Sequence, residues 1–371
     1  MIPMSKKIIS IGLCLAVVLT ACKKTNNPNP PPPPPTPTDT TMYYPPNGSS
    51  EWHAKSAASL GWNESLLPDL YNYLQTKNTK AFLILKDGRM VIEKYFGTFT
   101  VDSNWYWASA GKTMMAMLVG IAEEDNFLHI NHRTSTYLGV GWTSLPPAKE
   151  DLITIKNQLT MTTGLDDDVQ PNSDCTLPSC LQYKADAGTR WAYHNAPYSL
   201  LYDVIQNATN QNFATYFNTN LRDPIGMNGA WIPLSSKHVY FSTPRSMARF
   251  GLLMLNKGKW KSNYILHDSA YYNAQINTSQ DLNKSYGYLT WLNGKESHML
   301  PNTQFIFNGP IAISAPTEMF AAMGKNDQRI YIIPSKGIVV IRMGDDSGNG
   351  PLAVSSFDNE LWDKLRPIMG L

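Results

Sequence analysis

The pattern of apolar and polar residues early in the chain predicts a helix followed by a β-hairpin. Asn63 is a good N-cap, and apolar positions recur at helical spacing from Glu64 to Leu74. Two β-rich runs follow, Ala81 to Leu85 and Met90 to Phe96, and the Asp87-Gly88 pair between them is a strong hairpin signal. We therefore expect a helix and two antiparallel strands in this first block.

The middle of the chain is predicted to be mainly helical. The segment from Thr113 to Glu124 is apolar almost all round, which is typical of a helix buried in the centre of a protein. Helix and loop patterns continue to about Leu255, with apolar stretches from Tyr198 to Ile205 and from Met247 to Leu255.

Beyond Ser285 the pattern changes to strands and a closing helix. The predicted strands are Tyr286 to Leu292, Met319 to Met323, Arg329 to Ile333 and Gly337 to Arg342, and the helix is Phe357 to Met369. Strands at both ends with helices between them predict an α+β fold. In this fold, one antiparallel sheet built from both termini is flanked by helices and carries an inserted, mainly helical lobe.

The first residues have the pattern of an export signal. Lys6 and Lys7 precede an apolar run from Ile8 to Leu19, which is shorter than the roughly 20 residues that a helix needs to cross a bilayer. The residues before Cys22 resemble a bacterial lipobox, in which the cysteine becomes the lipidated first residue. We predict a signal peptide over 1–21 and a protein exported and lipid-anchored to the bacterial cell envelope. The alternative is an ordinary signal peptide with a chance cysteine.

A Pro/Thr-rich segment separates this signal from the globular part. Residues 22–49 include an unbroken proline run from Pro30 to Pro35, a composition typical of an extended, semi-rigid tether. Residues 50–371 are apolar enough for a sizeable core. The 31 Lys and Arg nearly balance the 29 Asp and Glu, and no basic stripe appears, so we expect no nucleic-acid partner.

Two cysteines, Cys175 and Cys180, lie in the globular part, in a loop rich in Asp, Asn, Ser and Pro. An exported protein permits a disulfide between them. Two free thiols or half of a metal site are the alternatives, although no second Cys/His pair lies at zinc-like spacing.

The segment Ser109-Ala110-Gly111-Lys112 carries the candidate chemistry. At the start of a helix, residues three positions apart share one face, so the serine hydroxyl and the lysine amine can meet. A serine needs an adjacent base, and a buried lysine with a lowered pKa can serve as one. The helix N-terminus and the Ser109 N–H favour an oxyanion. A helix cap with a solvated lysine is the alternative, but the apolar surroundings oppose it.

Two later segments complete a resemblance. Leu159-Thr160-Met161-Thr162-Thr163-Gly164-Leu165 is followed by Gly188 to Asn195, which contains Tyr193-His194-Asn195. With Ser-x-x-Lys, this ordered set resembles the serine β-lactamase and penicillin-binding-protein superfamily, in particular its class C, esterase and 6-aminohexanoate-oligomer hydrolase branches. The resemblance spans roughly Ala81 to Arg342. It implies the β-lactamase/transpeptidase fold, an acyl-enzyme at Ser109 and no cofactor.

The resemblance also assigns roles to Tyr193 and Asn195. Tyr193 matches the tyrosine that faces the nucleophile, and a nearby ammonium is expected to lower the pKa of this phenol so that it passes the serine proton on. Asn195, two residues further along an extended segment, is expected to hold Lys112 or the substrate. A core tyrosine and a loop-capping amide are the alternatives. His194, lying between them, should face the other way.

The third element of the family departs from its usual pattern. In the segment Phe320 to Gln328, Gly324 takes the place of the family glycine, and Ala322 replaces the basic residue that contacts a substrate carboxylate. The resemblance assigns substrate and oxyanion binding to Met323, Gly324 and Lys325. Without the basic residue we expect esters or small amides as substrates rather than β-lactams, although Lys325 offers another cation.

Other candidate sites are weaker. His129 and His132 have no third ligand nearby, so no metal site is expected there. The acids Asp166, Asp167, Asp168 and Asp174, with Gln170 and Asn172, suggest either calcium or a solvated rim of the cleft, and we favour the rim. Trp107 occupies the first glycine position of a Gly-x-Ser-x-Gly elbow, which argues against an α/β-hydrolase.

These observations predict an exported serine hydrolase that acts on a small ester or amide and touches the membrane only through its lipid. The first alternative is a D,D-peptidase or β-lactamase acting on cell-wall-like D-alanyl amides. The second is a catalytically idle relative that binds cell-wall fragments.

Overall fold

The structure, a computed structural model, describes residues 41–169, 173–348 and 354–371. The predicted signal peptide, Cys22 and the proline run lie outside the described residues, as do Gln170 and Asn172. Residues Thr41–Leu371 form one compact unit. Among the described residues, no helix is both long enough and apolar enough to cross a membrane.

Short strands and helices alternate along the described residues. The strands, β1 to β13 in chain order, are Thr79–Lys86, Arg89–Tyr95, Trp105–Tyr106, Ala230–Leu234, Lys237–Ser242, Lys259–Trp260, Asn263–Tyr264, Trp291–Leu292, Ser297–Met299, Ile306–Asn308, Phe320–Gly324, Gln328–Ile333 and Ile338–Gly344. The α-helices, α1 to α11, are Leu67–Thr76, Gly111–Glu124, Ser135–Leu138, Pro147–Glu150, Ile155–Leu159, Asn195–Ser199, Leu201–Thr209, Phe213–Phe217, Pro244–Leu255, Ser269–Gln275 and Ser356–Met369.

The main sheet is antiparallel and contains strands from both ends of the chain. Its order is β2-β1-β13-β12-β11-β8, with Ile84 opposite Val340 where the two ends meet. Helix α9 packs on this sheet so closely that a Cβ on Gly251 would lie 2.5 Å from Val339 Cγ1. The helices α3 to α8 form the inserted lobe, and a smaller sheet of order β3-β5-β4 lies beside it. The predicted α+β architecture is therefore confirmed.

Helix α2 is the buried helix that the sequence predicts. Every residue from Gly111 to Ala122 is buried, including Lys112. A short 3₁₀ turn, Ala108–Ala110, leads into it and presents Ser109 at its front edge. The predicted helices at both ends and most predicted strands are also present, with bounds that differ by a few residues.

One predicted strand is wrong. The segment Tyr286 to Leu292 is extended only at Trp291–Leu292, because the chain doubles back and Tyr286 pairs with Trp291. The Gly287 N–H donates to the Thr290 carbonyl at 2.9 Å within this turn. A Cβ on Gly287 would lie 2.1 Å from the Gln275 carbonyl oxygen, so the turn depends on a contact that local pattern does not reveal.

The packed body begins earlier than the sequence predicts. Residues 41–49, assigned above to the tether, include several that contact the body. The Tyr43 N–H donates to the Asp87 carbonyl at 2.9 Å. The buried Arg249 guanidinium donates to the carbonyls of Pro45 and Pro46 at 3.2 and 2.7 Å. The buried guanidinium needs hydrogen-bond acceptors, and the two carbonyls supply them. These hydrogen bonds hold Pro45 and Pro46 against the packed body.

Candidate active site

A cavity of about 480 Å³ opens at the front of α2, between the main sheet and the helical lobe. Its lining combines the elements that the sequence singled out with residues from β5 and the turn after β11. The lining residues include Tyr106, Ala108, Ser109, Lys112, Asp174, Tyr193, Asn195, Tyr198, Leu234, Lys237 and Lys325.

Ser109 is half-buried and is presented by an unusual backbone turn. The preceding Ala108 has φ +47°, a left-handed conformation that costs energy in any residue with a Cβ. The turn then enters α2, so Ser109 and Lys112 lie on the same face. The Lys112 Nζ lies 3.1 Å from the Ser109 Oγ, within hydrogen-bond distance. The two side chains are therefore in contact, as their spacing in the sequence predicted.

Lys112 is buried in an aromatic pocket, with 3% of its surface exposed. Its Nζ lies 5.0 Å from the ring centroid of Tyr193 and 4.2 Å from that of Tyr198. Burial lowers the pKa of Lys112 to about 7, while Asp174 acts to raise it and Lys237 to lower it further. A substantial fraction of the lysine is therefore the neutral amine near neutral pH, the form that can accept a proton from Ser109.

Tyr193 lies in a cluster of aromatic rings, and Lys112 Nζ faces its ring. Its ring stacks on Trp291 at a centroid distance of 5.8 Å, and Trp191 and Tyr286 contact it from other sides. Burial raises the pKa of the Tyr193 phenol well above its ordinary value, and the nearby Ser109 hydroxyl opposes this only in part. In the described part of the chain, the phenol oxygen has no hydrogen bond of ordinary geometry.

The expectation of a lowered pKa for Tyr193 is therefore wrong. A phenol buried among rings stays protonated at neutral pH, so it can donate a proton but not take the first one from Ser109. The group with the right protonation state to act as the base is Lys112.

Asn195 holds Lys112 from the opposite side of the cavity. It is the first residue of α6, and the extended backbone predicted for it ends at His194. Its Oδ1 accepts from Lys112 Nζ at 2.8 Å, and its Nδ2 donates to Asp174 Oδ1 at 2.8 Å. The amide is thus engaged at both ends within the site and is not a loop cap.

Gly324 ends β11 against the turn that carries Ser109. A Cβ at this position would lie 2.5 Å from the Trp107 carbonyl oxygen and 3.0 Å from the Ser109 backbone nitrogen. Lys325 follows and lines the cavity, whereas Met323 is buried and does not. Ala322 is also buried, at 1% exposure, so this position presents no cation.

The turn after Gly324 is strained and is held by buried side chains that the sequence did not single out. Asn326 and Asp327 have φ values of +58° and +56°. Arg329 donates to the Gly324 carbonyl at 2.9 Å and Arg342 to the Asn326 carbonyl at 2.6 Å. Both guanidinium groups are fully buried, so they hold this edge of the cavity from behind.

The loop with the two cysteines reaches the site through Asp174. A disulfide joins Cys175 to Cys180 in the structure. Asp174 accepts from Asn195 and forms an ion pair with Lys237 at the start of β5. The sequence placed Asp174 in a solvated rim, which is wrong: it is about half-buried in the site. In the sequence, the only sign that Asp174 belongs to the site is its position next to Cys175. Nothing in the sequence marks Lys237 or Tyr198 as site residues.

The other acids of that loop are paired elsewhere. Asp167 binds Arg190 at 2.7 Å and Asp166 lies 3.4 Å from Lys184, while Asp168 is exposed. Within the ranges that the structure describes, no three His, Cys, Asp or Glu side chains are grouped as a metal site.

The three histidines considered in the sequence, His129, His132 and His194, do not line the cavity, whereas His238 on β5 does. His194 is buried at 3% exposure, and burial lowers its pKa to about 4. It does not line the cavity, in agreement with the alternation that the sequence suggested. His129 and His132 stack on each other at 5.1 Å, and His132 Nδ1 lies 3.0 Å from the Tyr137 hydroxyl.

Comparisons with known proteins agree with this site and fold. The family model described as Beta-lactamase matches residues 76–355. PbpX of Bacillus subtilis (strain 168), whose name places it with the penicillin-binding proteins, is 26% identical over 162 residues. That match covers 40% of each chain, so the chain spans about 40% of the length of this curated relative.

Solved structures show the same fold over most of the chain. A Bacillus anthracis protein named as a 6-aminohexanoate-dimer hydrolase has a TM-score of 0.63 at 18% identity, with 81% of each chain covered. EstCE1, a hydrolase with promiscuous acyltransferase activity, has a TM-score of 0.58 at 11% identity, covering 83% of this chain and 99% of its own.

Because the family model covers well over half of the chain, this protein belongs to the beta-lactamase family, within the serine β-lactamase and penicillin-binding-protein superfamily. Its fold is the β-lactamase fold.

Proposed function

We propose that the protein is an exported serine hydrolase that forms an acyl-enzyme at Ser109 and cleaves esters or small amides. The observation that carries this proposal is the 3.1 Å contact between Ser109 Oγ and Lys112 Nζ, with Lys112 buried and its pKa lowered to about 7. A serine activated in this way is a nucleophile for acyl transfer.

The proposed reaction has two halves. Ser109 Oγ attacks the substrate carbonyl while its proton passes to neutral Lys112. The bond to the leaving group then breaks, and the leaving group takes that proton from Lys112, either directly or through the Tyr193 phenol, which Lys112 reprotonates, so Lys112 is neutral again. Backbone N–H groups of Ser109 and of the Met323–Lys325 segment bind the oxyanion. Water then attacks the acyl-enzyme while Lys112 takes a proton from it, the bond between Ser109 Oγ and the acyl carbon breaks, and Lys112 returns the proton to Ser109 Oγ.

The choice of esters or small amides rests on Ala322. A basic residue here would make a charge-assisted hydrogen bond to a substrate carboxylate, and alanine makes none. The aromatic and aliphatic side chains of Tyr106, Tyr198 and Leu234 in the cavity lining suit a neutral acyl or alcohol group. The likeness to a protein named as a 6-aminohexanoate-dimer hydrolase supports the same substrate class.

A second candidate is a D,D-peptidase or β-lactamase acting on cell-wall-like D-alanyl amides. The observation in its favour is Lys325, whose side chain lines the cavity and offers a cation to a substrate carboxylate. The relation to a penicillin-binding protein in Bacillus subtilis points the same way.

Export and lipid anchoring are part of the proposal and rest on the first residues alone. Lys6 and Lys7, the apolar run and Cys22 supply the pattern. Metabolic labelling with a palmitate analogue should mark the wild-type protein and not Cys22→Ser, and an unlabelled wild type would refute the anchor.

A fluorophosphonate probe tests the catalytic proposal. It should label the wild type at Ser109, identified by peptide mass spectrometry, and should fail with Ser109→Ala. An unreactive wild type would favour the idle, binding alternative. Assays with a p-nitrophenyl ester, a chromogenic cephalosporin and a D-Ala-D-Ala peptide, run side by side, then separate the two substrate classes.

A further inference from the structure

A chain of polar contacts continues beyond the catalytic pair to the disulfide loop and the smaller sheet. Asp174 Oδ1 accepts from Asn195 Nδ2 at 2.8 Å, and its other oxygen pairs with Lys237 Nζ. The Asp174 carbonyl also accepts from Ser236 Oγ at 2.6 Å. Asp174 is therefore held between the lobe and the β4–β5 hairpin, next to the disulfide at Cys175.

The carboxylate decides which way the Asn195 amide points. An ionised carboxylate only accepts hydrogen bonds, so it selects the NH₂ end of the amide. The carbonyl end is then turned to Lys112 Nζ, 2.8 Å away. A flipped amide would present a donor to the lysine, which already has donors of its own. With the observed orientation, one Lys112 N–H is engaged by Asn195 and the lone pair of the neutral amine is available to Ser109.

Asp174 and Lys237 are also the charged groups that act on Lys112. Asp174 favours the ammonium form of Lys112 and Lys237 disfavours it. The other groups facing Lys112 are the Ser109 hydroxyl, the Asn195 amide and the rings of Tyr193 and Tyr198, which are neutral. The Asp174–Lys237 pair thus places two opposite charges near a lysine that is buried in a medium of low dielectric constant.

We propose that Asp174 and Lys237 are positioning residues of this site. Asp174 orients the Asn195 amide so that Lys112 faces Ser109 as a base, and Lys237 holds the Asp174 carboxylate in place and offsets its charge. This inference rests on the proposed function, because it assigns Lys112 the role of base. Neither residue needs to touch the substrate.

Four variants distinguish the effect of charge near Lys112 from the effect of the orientation of the Asn195 amide. Asp174→Asn removes the charge and keeps an acceptor for Asn195, whereas Asp174→Ala removes both. Lys237→Met removes the opposing cation. Asp281→Asn is the matched control, because Asp281 is paired with Lys284 and does not line the cavity.

The first readout is the pH dependence of fluorophosphonate labelling at Ser109 in the full-length protein. The acid limb should move to lower pH in Asp174→Asn and to higher pH in Lys237→Met, each on the order of one pH unit for a unit charge at short range. Asp174→Ala should also lose at least about tenfold in rate at the plateau, as expected for weakened general-base help. The control should match the wild type.

The second readout is a direct NMR titration of Lys112 in ¹⁵N-lysine-labelled protein, with the signal assigned by its absence in Lys112→Met. It distinguishes failure of this inference from failure of the proposed function. Suppose that wild-type Ser109 reacts but Asp174→Asn and Lys237→Met leave the titration midpoint of Lys112 unchanged, or shift it in the same direction. The positioning role of Asp174 and Lys237 is then overturned, and the proposed function stands. If Ser109 is unreactive while the titration moves in opposite directions, the proposed hydrolase is overturned and the tuning of Lys112 stands.

Discussion

Gly324 lies so close to Ser109 that position 324 has no room for a Cβ: a Cβ on Gly324 would stand 3.0 Å from the Ser109 backbone nitrogen. The Gly324 backbone is extended, with φ −132°, so this glycine is required by proximity and not by its conformation. The contact joins the end of β11 to the nucleophile turn, where the proposed oxyanion site would form.

Gly324→Ala should therefore impair catalysis. The added methyl group would meet the Trp107 carbonyl at 2.5 Å and push the strand end away from Ser109. Loss of one oxyanion donor typically costs about a hundredfold or more in kcat. Steady-state kinetics with a p-nitrophenyl ester would measure the loss.

Gly251→Ala provides the control for this substitution. Its Cβ would clash equally closely, at 2.5 Å, but with Val339 in the core beneath α9. It should lower the melting temperature and leave kcat near the wild-type value at temperatures where the protein is folded. If Gly324→Ala also kept its kcat, the strand end would have no role at the nucleophile.

The pH dependence of hydrolysis should report Lys112. Burial lowers the pKa of Lys112 to about 7. The ammonium form cannot accept the Ser109 proton, so kcat/KM should fall about tenfold per pH unit below that value and level off above it. A rate profile from pH 5 to 9 on a neutral ester tests this, and a flat profile would mean that another group is the base.

The same burial should make Lys112 costly for stability. Its pKa is lowered from 10.5 to about 7, so the unfolded chain binds the proton more tightly than the folded one. This destabilisation of the folded state is greatest below about pH 7 and decreases as the pH rises toward 10.5. Lys112→Met should abolish activity and raise the free energy of unfolding at pH 6 by a few kcal/mol, at about 1.4 kcal/mol per pKa unit before lost hydrogen bonds are subtracted.

Urea denaturation at pH 6 and pH 10 would measure that gain. It should be larger at pH 6, and the reverse order would contradict the lowered pKa. Lys156→Met, which changes a lysine outside the cavity lining, is the control and should show no such pH-dependent gain.

Substrate preference should depend on which cationic side chains line the cavity. With Ala322 buried and uncharged, a p-nitrophenyl ester should be cleaved more efficiently than a cephalosporin. Lys325→Met should lower kcat/KM for the cephalosporin by roughly ten- to a hundredfold, the worth of one charge-assisted hydrogen bond, and should spare the neutral ester. Lys336→Met, on the turn before β13, is the control. Faster turnover of the cephalosporin by the wild type would reverse this assignment.

Local patterns in the sequence determined the elements and the catalytic pair. Helical spacing brings Ser109 to Lys112 because residues three apart share a helix face, and no distant contact is needed for it. The Asp87-Gly88 turn likewise predicts the β1–β2 hairpin from adjacent residues. The family resemblance added Tyr193, Asn195 and Gly324, which lie far from Ser109 along the chain.

Only the tertiary structure decided the environment of that pair. The packing of Gly287 against Gln275, the raised pKa of Tyr193 and the approach of Gly324 to Ser109 all arise from contacts between separate segments of the chain. Asp174 and Lys237 are 63 positions apart. A pKa or a close backbone approach depends on burial and on which segments pack together, and neither has a periodic signature in the sequence. The sequence by itself therefore determined which groups can react, and the packing of distant segments decided which protons and charges they carry.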